Sequence, residues 1–564
     1  MRPTGLPELR LTVEEAAARA GVSVATMRRW CADGKVQAIR AGKQWLIDPS
    51  TLRGRSNRGA QRSGSEARDF DLETAWKHIK ATDLSELWVP DVLRHRDTVD
   101  DSAEMLATAH MRIASGIFLP PLRIEIPKTT ASNRPGAMLD LPDRVAYQAA
   151  VDCFCQALDS SISANVYSSR LAQNSKYFFQ RSSTAWKRFG DAVRKAIDAT
   201  PQAWVAQTDI TGYFEHINHN VLFEQLSALG IGGNPLKTLR TMLSRWSILE
   251  GVGLPQGPNA SRLLGNFYLQ PVDEIMLARG YNYFRYMDDI RIVARSKPEA
   301  VAAIREFEGL CRERGLSCSS HKTQVMDETE YAQHLDTAQL DEAAYQFQFS
   351  TEASRAMLRR IFDQALSPAG VDKTRARFSI WRLTRMREYR VMSKVFKHME
   401  NLAPLASVVA AYLRPFIDRA TVQRKVESFL KDRDRSYSPY LRAWIYAAML
   451  ESREIPESWA DIARADSHDL NTPSYMRGIA ACVLGKRGLP RDIAWLKDRL
   501  SLEHDPMVLR ANMVALRHAG ALDKRSIKIV ADRQPGLERT GIWLMRQNGF
   551  LPSLVDVGGK IPVA

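Results

Sequence analysis

Phe284-Arg285-Tyr286-Met287-Asp288-Asp289-Ile290-Arg291-Ile292 decides how the rest of the chain is read. Apolar and β-forming residues flank two adjacent aspartates, the pattern of two short strands joined by a tight turn with carboxylates at its tip. Carboxylates side by side repel each other, which is costly unless a divalent cation neutralises them, and oxygen-only ligands suit magnesium or manganese. Such pairs also make ordinary turns, so the tip by itself leaves both readings open.

Two further segments add to it. Upstream, Trp204-Val205-Ala206-Gln207-Thr208-Asp209-Ile210-Thr211-Gly212-Tyr213-Phe214 reads as a strand ending at Asp209, and the carbonyl of Ile210 can complete a metal site. Between the two lies Gly253-Leu254-Pro255-Gln256-Gly257-Pro258-Asn259-Ala260-Ser261, a loop that opens a helix. Asp-Ile-x-x-Tyr-Phe, then Leu-Pro-Gln-Gly, then Tyr-Met-Asp-Asp, in that order, resemble the palm of a reverse transcriptase of the bacterial group that includes retron, group II intron and phage-defence enzymes.

The resemblance implies an RNA-directed DNA polymerase that takes an RNA template and deoxynucleoside triphosphates and makes DNA. It implies two magnesium or manganese ions held by Asp209, Asp288 and Asp289, with Ile210 contributing its carbonyl. Phe214 stands where such enzymes place the aromatic that blocks a ribose 2′-hydroxyl, and Gln256 and Gly257 where they shape the floor under the incoming base and sugar. In Leu316-Ser317-Cys318-Ser319-Ser320-His321-Lys322-Thr323, Lys322 matches a lysine able to aid the pyrophosphate leaving group. An anti-phage defence role, with an associated non-coding RNA as a further partner, follows from the same likeness.

Ahead of the palm, Pro120 to Lys128 alternates as a strand would, and Asn133-Arg134-Pro135 leads through Asp143-Arg144-Val145 into an apolar helix through Leu158. This is similar to the fingers of bacterial reverse transcriptases. A triphosphate needs cations that leave its metal-binding oxygens free, so Lys128, Arg134 and Arg144 are the candidates. The relatives' Ser-x-Gly-x-Arg-like element has no glycine in Asn165-Val166-Tyr167-Ser168-Ser169-Arg170.

The first unit is separate. Thr12 and Glu15 form a capping box, Gly21-Val22-Ser23 breaks the helix, Ser23 caps a second one through Trp30, and Val36 to Ile47 reads as a hairpin around Gly42. The order resembles the winged helix-turn-helix of excisionase and MerR-like families. By that likeness Thr26, Arg28 and Arg29 enter the major groove of a double-stranded DNA site, with Arg40 and Lys43 on the wing near phosphates.

Composition agrees with a polyanionic partner. The 564 residues carry a formal charge of +15 with 45% apolar and 25% charged residues, an ordinary soluble balance able to bury sizeable cores. Six dispersed cysteines show no zinc spacing, and no run reaches the roughly 18 apolar residues that a membrane span needs. A cytoplasmic protein with no membrane partner is expected.

The fold class is therefore multidomain α+β: a winged helix-turn-helix over 1–52, a flexible basic linker over 53–69, N-terminal helices and right-hand polymerase fingers over 70–200, a palm over 201–335, and an all-α thumb and helical-repeat-like (HEAT-like) region over 336–564. Helices are expected over 76–93, 101–115, 219–229, 235–249 and 298–314, with nine more beginning at Ala356 and ending at His518. Ten basic residues between Arg355 and Arg390 suit a surface tracking a duplex backbone. Two rival readings remain: a template-independent or protein-primed DNA polymerase of abortive-infection type, and a catalytically silent DNA-binding regulator on a polymerase-like scaffold.

Overall fold

The computed structural model describes residues 12–20, 24–32, 38–41, 44–47, 70–85, 89–100, 102–173, 176–334, 338–367 and 370–547. In the first unit, helices Val13–Ala20 and Val24–Ala32 precede a hairpin of β1 (Ala38–Ala41) and β2 (Gln44–Ile47), in the expected order. Val13, Ala16, Ala17, Met27, Cys31 and Ile47 give it a small core of its own. Lys43 and the linker 53–69 lie outside the described residues.

The helix expected over 76–93 is present only over its first residues. A helix runs Leu72–Ala81, started by the Asp71 side chain accepting from the Thr74 N–H, and a 3₁₀ turn follows at Asp83–Ser85. Asp83, in that turn, is buried as the counter-ion of Arg144. The strand pair does form, as an antiparallel hairpin of β3 (Leu122–Pro127) and β4 (Asn133–Met138) that sets Ile126 opposite Arg134. The helix expected through Leu158 is interrupted into Leu141–Asp152 and Cys155–Ser161.

The palm sheet has four strands, β5 (Trp204–Asp209), β6 (Asn282–Tyr286), β7 (Asp289–Ala294) and β8 (Gln324–Asp327), in the order β6-β7-β5-β8 with every neighbour antiparallel. Alternation along the strands sends Ala206, Tyr283, Ile290 and Ile292 to one face, against Leu263 and Phe267 of helix Asn259–Tyr268 and Ile304 and Phe307 of helix Lys297–Glu313. Val205, Phe284, Val293 and Met326 face the other way, onto Phe189, Val193 and Ile197 of helix Ser182–Asp198. Both faces are thus covered, and Asp209 and Asp289 lie half-buried at strand ends.

From residue 338 onward the described chain is helix after helix, broken by a two-residue pair of β9 (Leu366–Ser367) and β10 (Gly370–Val371). The nine expected helices are present, and Ala338–Phe347, Glu457–His468, Lys524–Arg533 and Glu538–Arg546 join them. Among the described residues, no helix is long and apolar enough to cross a membrane.

This helical region does not simply trail away from the palm. Its core takes in Ile124 and Ile126 of β3 and Val89 and Leu93 from the segment before it. Arg510, on helix Pro506–His518, bridges Asp91 and Asp97, and Asp97 also accepts from the Thr540 hydroxyl at 2.8 Å. Burial opposes ionisation of Asp91, but Arg510 above all holds its carboxyl well below the usual range. Trp543 donates to Asp100 at 2.9 Å across the same seam.

Replacing Arg510 by Met should therefore leave two buried carboxylates unpaired and cost about 3–5 kcal/mol. It should lower the melting temperature and speed protease cleavage near residues 89–100; adding Asp91→Asn and Asp97→Asn should recover part of the loss. An unchanged melting temperature would show that the seam is not held by this triad.

Candidate active site

Strand pairing brings the acids together. Asp209, the last residue of β5, lies directly opposite Asp289, the first of β7, and the Ile210 N–H donates to the Asp288 carbonyl at 3.2 Å. Paired antiparallel residues stand about 5 Å apart and point to one side, so the two carboxylates meet, with Asp288 next to them in the turn.

The electrostatics follow from that crowding. Burial first, then the charges of Asp209 and Asp289, push the Asp288 carboxyl up to about 7. Asp289 is raised as well, chiefly by burial, with the Arg291 guanidinium 3.9 Å away opposing the shift. Lys322 places its Nζ 2.7 Å from Asp209 Oδ2. It is carried there by a turn tied to β5, in which the Ser319 N–H donates to the Asp209 carbonyl at 2.7 Å and the hydroxyls of Thr323 and Thr208 meet at 2.7 Å. Ile210 lies opposite Cys318, with its side chain buried.

Among the described residues, no three Asp, Glu, His or Cys side chains gather closely enough to hold one ion between them. The donor set is nonetheless all oxygen and rich in negative charge, the chemistry that suits a hard divalent cation, and the ammonium on Asp209 supplies part of the missing positive charge.

The turn that presents Asp288 is strained and clamped. Met287 has φ +57°, a left-handed conformation uncommon for a residue with a side chain. Its N–H donates to Ser168 Oγ at 2.7 Å, and its carbonyl accepts from Arg285 Nη1 at 3.0 Å. Arg285 is itself fully buried and grips Asp273, of helix Gln270–Ala278, through Nε at 2.7 Å and Nη2 at 2.6 Å. Burial opposes its charge, and the facing Asp273 carboxylate more than compensates, keeping the guanidinium ionised. Asn266 closes the network by accepting from Arg285 at 3.1 Å and donating to the Ser168 carbonyl at 2.6 Å. None of Arg285, Asp273 or Ser168 was singled out from sequence. The available signal was an arginine inside an otherwise apolar strand, which requires a buried acid somewhere in the fold.

Around the acids, Phe214 is half-buried in a 3₁₀ turn, Tyr213–Glu215, and its carbonyl accepts from the Leu254 N–H at 2.8 Å. Helix Asn259–Tyr268 runs close beneath: a Cβ at Gly265 would come within 3.2 Å of the Phe214 ring. Gln256 is half-buried, and Gly257 has φ +119°, which excludes other residues from that point of the loop.

Of the three fingers cations, Lys128 is exposed at the end of β3 and Arg134 half-buried on β4. Arg144 is a correction. Its Nε donates to Asp83 Oδ2 at 2.5 Å, its side chain is buried, and Asp83 in turn accepts from the Asn259 N–H at 3.1 Å. It steadies the start of the helix behind Gln256 and is not presented to a triphosphate. In the first unit Arg28 and Arg29 are exposed on helix Val24–Ala32, with Arg28 3.4 Å from Glu14. Thr26 sits on that helix and Arg40 on β1.

Residues 126–337 match the family described as reverse transcriptase (RNA-dependent DNA polymerase), and residues 10–53 match a helix-turn-helix domain. No curated protein matches the chain. Among solved structures it is similar to an apo telomerase from Candida tropicalis truncated from its C-terminal domain, at 10% identity and a TM-score of 0.28, over 40% of this chain and 55% of that one. It is also similar to a partial Cas6-RT-Cas1–Cas2 complex, at 20% identity and a TM-score of 0.25, over 48% of this chain and 46% of that one. A Candida albicans telomerase with a fragment of telomeric RNA aligns at 10% identity and a TM-score of 0.31, over 75% of this chain and 76% of that one. The chain thus spans about half the length of the first two. Asp209, Asp288 and Asp289 all lie within the segment that matches the reverse transcriptase (RNA-dependent DNA polymerase) family.

Asp273→Ala should strand the Arg285 guanidinium in the interior at a cost of about 3–5 kcal/mol. Urea unfolding of the palm would measure it, and a loss below about 1 kcal/mol, the scale of an exposed pair, would remove the pair from this role.

Proposed function

We propose that the chain copies RNA into DNA by two-metal nucleotidyl transfer at Asp209, Asp288 and Asp289. The observation that carries this is the register that sets Asp209 against Asp289, with Asp288 in the clamped turn beside them. Two magnesium or manganese ions, when bound there, supply the positive charge that acidifies a primer 3′-hydroxyl and balances charge on the reacting phosphate. The primer oxygen bonds to the α-phosphorus, the bridging oxygen to the β-phosphate leaves with the pyrophosphate, and the hydroxyl proton passes to solvent.

The side chains divide the remaining work. Asp209, Asp288 and Asp289 hold the ions, and the Ile210 carbonyl adds a ligand. Lys322, whose ammonium lies on Asp209, is placed to stabilise and protonate the leaving pyrophosphate. Phe214, its backbone tied to Leu254 and its ring beside Gly265, excludes a 2′-hydroxyl. Gln256 and Gly257 support the base and sugar, and Lys128 and Arg134 reach the phosphates. Exposed Arg28 and Arg29 favour a second activity, docking of the helix-turn-helix on double-stranded DNA. A defence role with an associated RNA, and a repeat-like reading of the C-terminal helices, rest on the sequence resemblance.

Incorporation of labelled deoxynucleotides on a primed RNA, with magnesium or manganese, tests the reading. Asp288→Asn should reduce the rate at least about 10²–10³-fold. Near-normal rates in that variant refute the assignment, and product that ignores the supplied RNA favours the untemplated or protein-primed polymerase. Phe214→Ala should lower the preference for deoxy- over ribonucleotides, as a ratio of kcat/KM, by about 10–100-fold; an unchanged ratio makes Phe214 a core aromatic only.

A further inference from the structure

The ten basic residues between Arg355 and Arg390 do not form one solvated surface. Arg355 donates to the Met386 carbonyl, Arg359 pairs with Glu352 and Glu388, Arg375 with Asp372 and Arg390 with Glu352. Arg382 is buried with its guanidinium 3.5 Å over Phe378, and Arg385 covers Trp381. Lys373 and Arg377 differ. One turn apart on helix Lys373–Arg385, they share an exposed face and, like exposed Arg360 and Arg387, have no side-chain hydrogen bond or ion pair among the described residues.

What stands opposite them is also basic. The buried side of this helix, through Ala376, Phe378 and Ile380, shares a core with Ile124 and Ile126 of the fingers hairpin. The hairpin tip is pinned to the same region by Tyr437, whose hydroxyl donates to the Thr130 carbonyl at 3.0 Å. Lys128, Arg134 and Lys322 consequently come within electrostatic range of Lys373. Its ammonium is pushed down, first by desolvation and then by Arg134, Lys322, Arg377 and Lys128. Cations from fingers, palm and the helical region lie near one another, and Lys322 among them touches Asp209. Like charges so placed repel unless a polyanion lies among them.

We propose that Lys373 and Arg377, outside the segment matched to the reverse-transcriptase family, complete with Lys128, Arg134 and Lys322 a cradle for the triphosphate of the incoming nucleotide. This rests on the polymerase reading of the site. The contiguity of the cradle with the carboxylates favours a metal-bound triphosphate over a single backbone phosphate: one side of the site carries excess negative charge and the other excess positive charge, the pattern a metal–nucleotide complex matches. Lys373 and Arg377 act here as nucleotide-positioning residues.

The test uses the full chain with Lys373→Gln, Arg377→Gln, the double variant and the charge-keeping Lys373→Arg, all checked for an unchanged melting temperature. The double variant should raise the KM for deoxynucleotide about tenfold or more, with kcat and the Kd for primed RNA changed by less than about threefold, and Lys373→Arg should recover most of the loss. Inorganic tripolyphosphate, titrated calorimetrically without primer or template, should bind the double variant more weakly by the same factor. An unchanged KM together with weaker primed-RNA binding and a flatter salt dependence would assign the two cations to a nucleic-acid backbone and overturn the proposal. A wild-type chain that incorporates nothing would sink the polymerase reading alone; tripolyphosphate binding unchanged in the double variant would sink the cradle.

Discussion

A single buried ion pair, Arg285 with Asp273, underlies the geometry of the site. A guanidinium and a carboxylate taken out of water are tolerated only with close pairing and every donor satisfied, so the elements that carry their partners have little freedom to shift. Those elements are β6, the helices Asn259–Tyr268 and Gln270–Ala278, and the segment holding Ser168. Where they meet, Met287 is caught between Ser168 and Arg285 in a left-handed conformation it would otherwise leave. The result is a rigid presentation of Asp288 beside Asp209 and Asp289. Crowded carboxylates can persist there because the scaffold, not the carboxylates, supplies the stability.

The second constraint is that the chain returns on itself. Arg510 ties the helical region to Asp91 and Asp97, and Ile124 and Ile126 of the fingers hairpin lie in the helical region's core. The hairpin therefore belongs to two bodies at once. Its apolar face is fixed by helices far along the chain, and its cations Lys128 and Arg134 join Lys322 and Arg377 in pushing the Lys373 ammonium down. Negative charge from the palm and positive charge from three segments end up side by side.

Some of this was legible beforehand for simple reasons. Strand β5, the β6–β7 hairpin and the helix after it announce themselves through local alternation and periodicity, which is why Asp209, Asp288 and Asp289 could be named and their meeting anticipated. Arg144 was misjudged because a surface arginine and a buried structural one look alike without their partner, and Asp83 lies 61 residues away. The helix expected over 76–93 ends at Ala81, ahead of the buried Asp83. The basic run after Arg355 looked uniform, yet most of its members face acids, carbonyls or rings brought near by folding.

The sequence by itself determined the local units: which stretches pair as strands, where the catalytic-type carboxylates sit in each, and that a separate helix-turn-helix leads the chain. These depend on side-chain period, caps and turn residues, all read within a few positions. Only the tertiary structure decided which charges are used inside the protein and which are left for a ligand. A charge's role depends on what lies within a few ångströms of it, and for Arg285, Arg144 and Arg510 the pairing acids lie 12, 61 and 413 residues away.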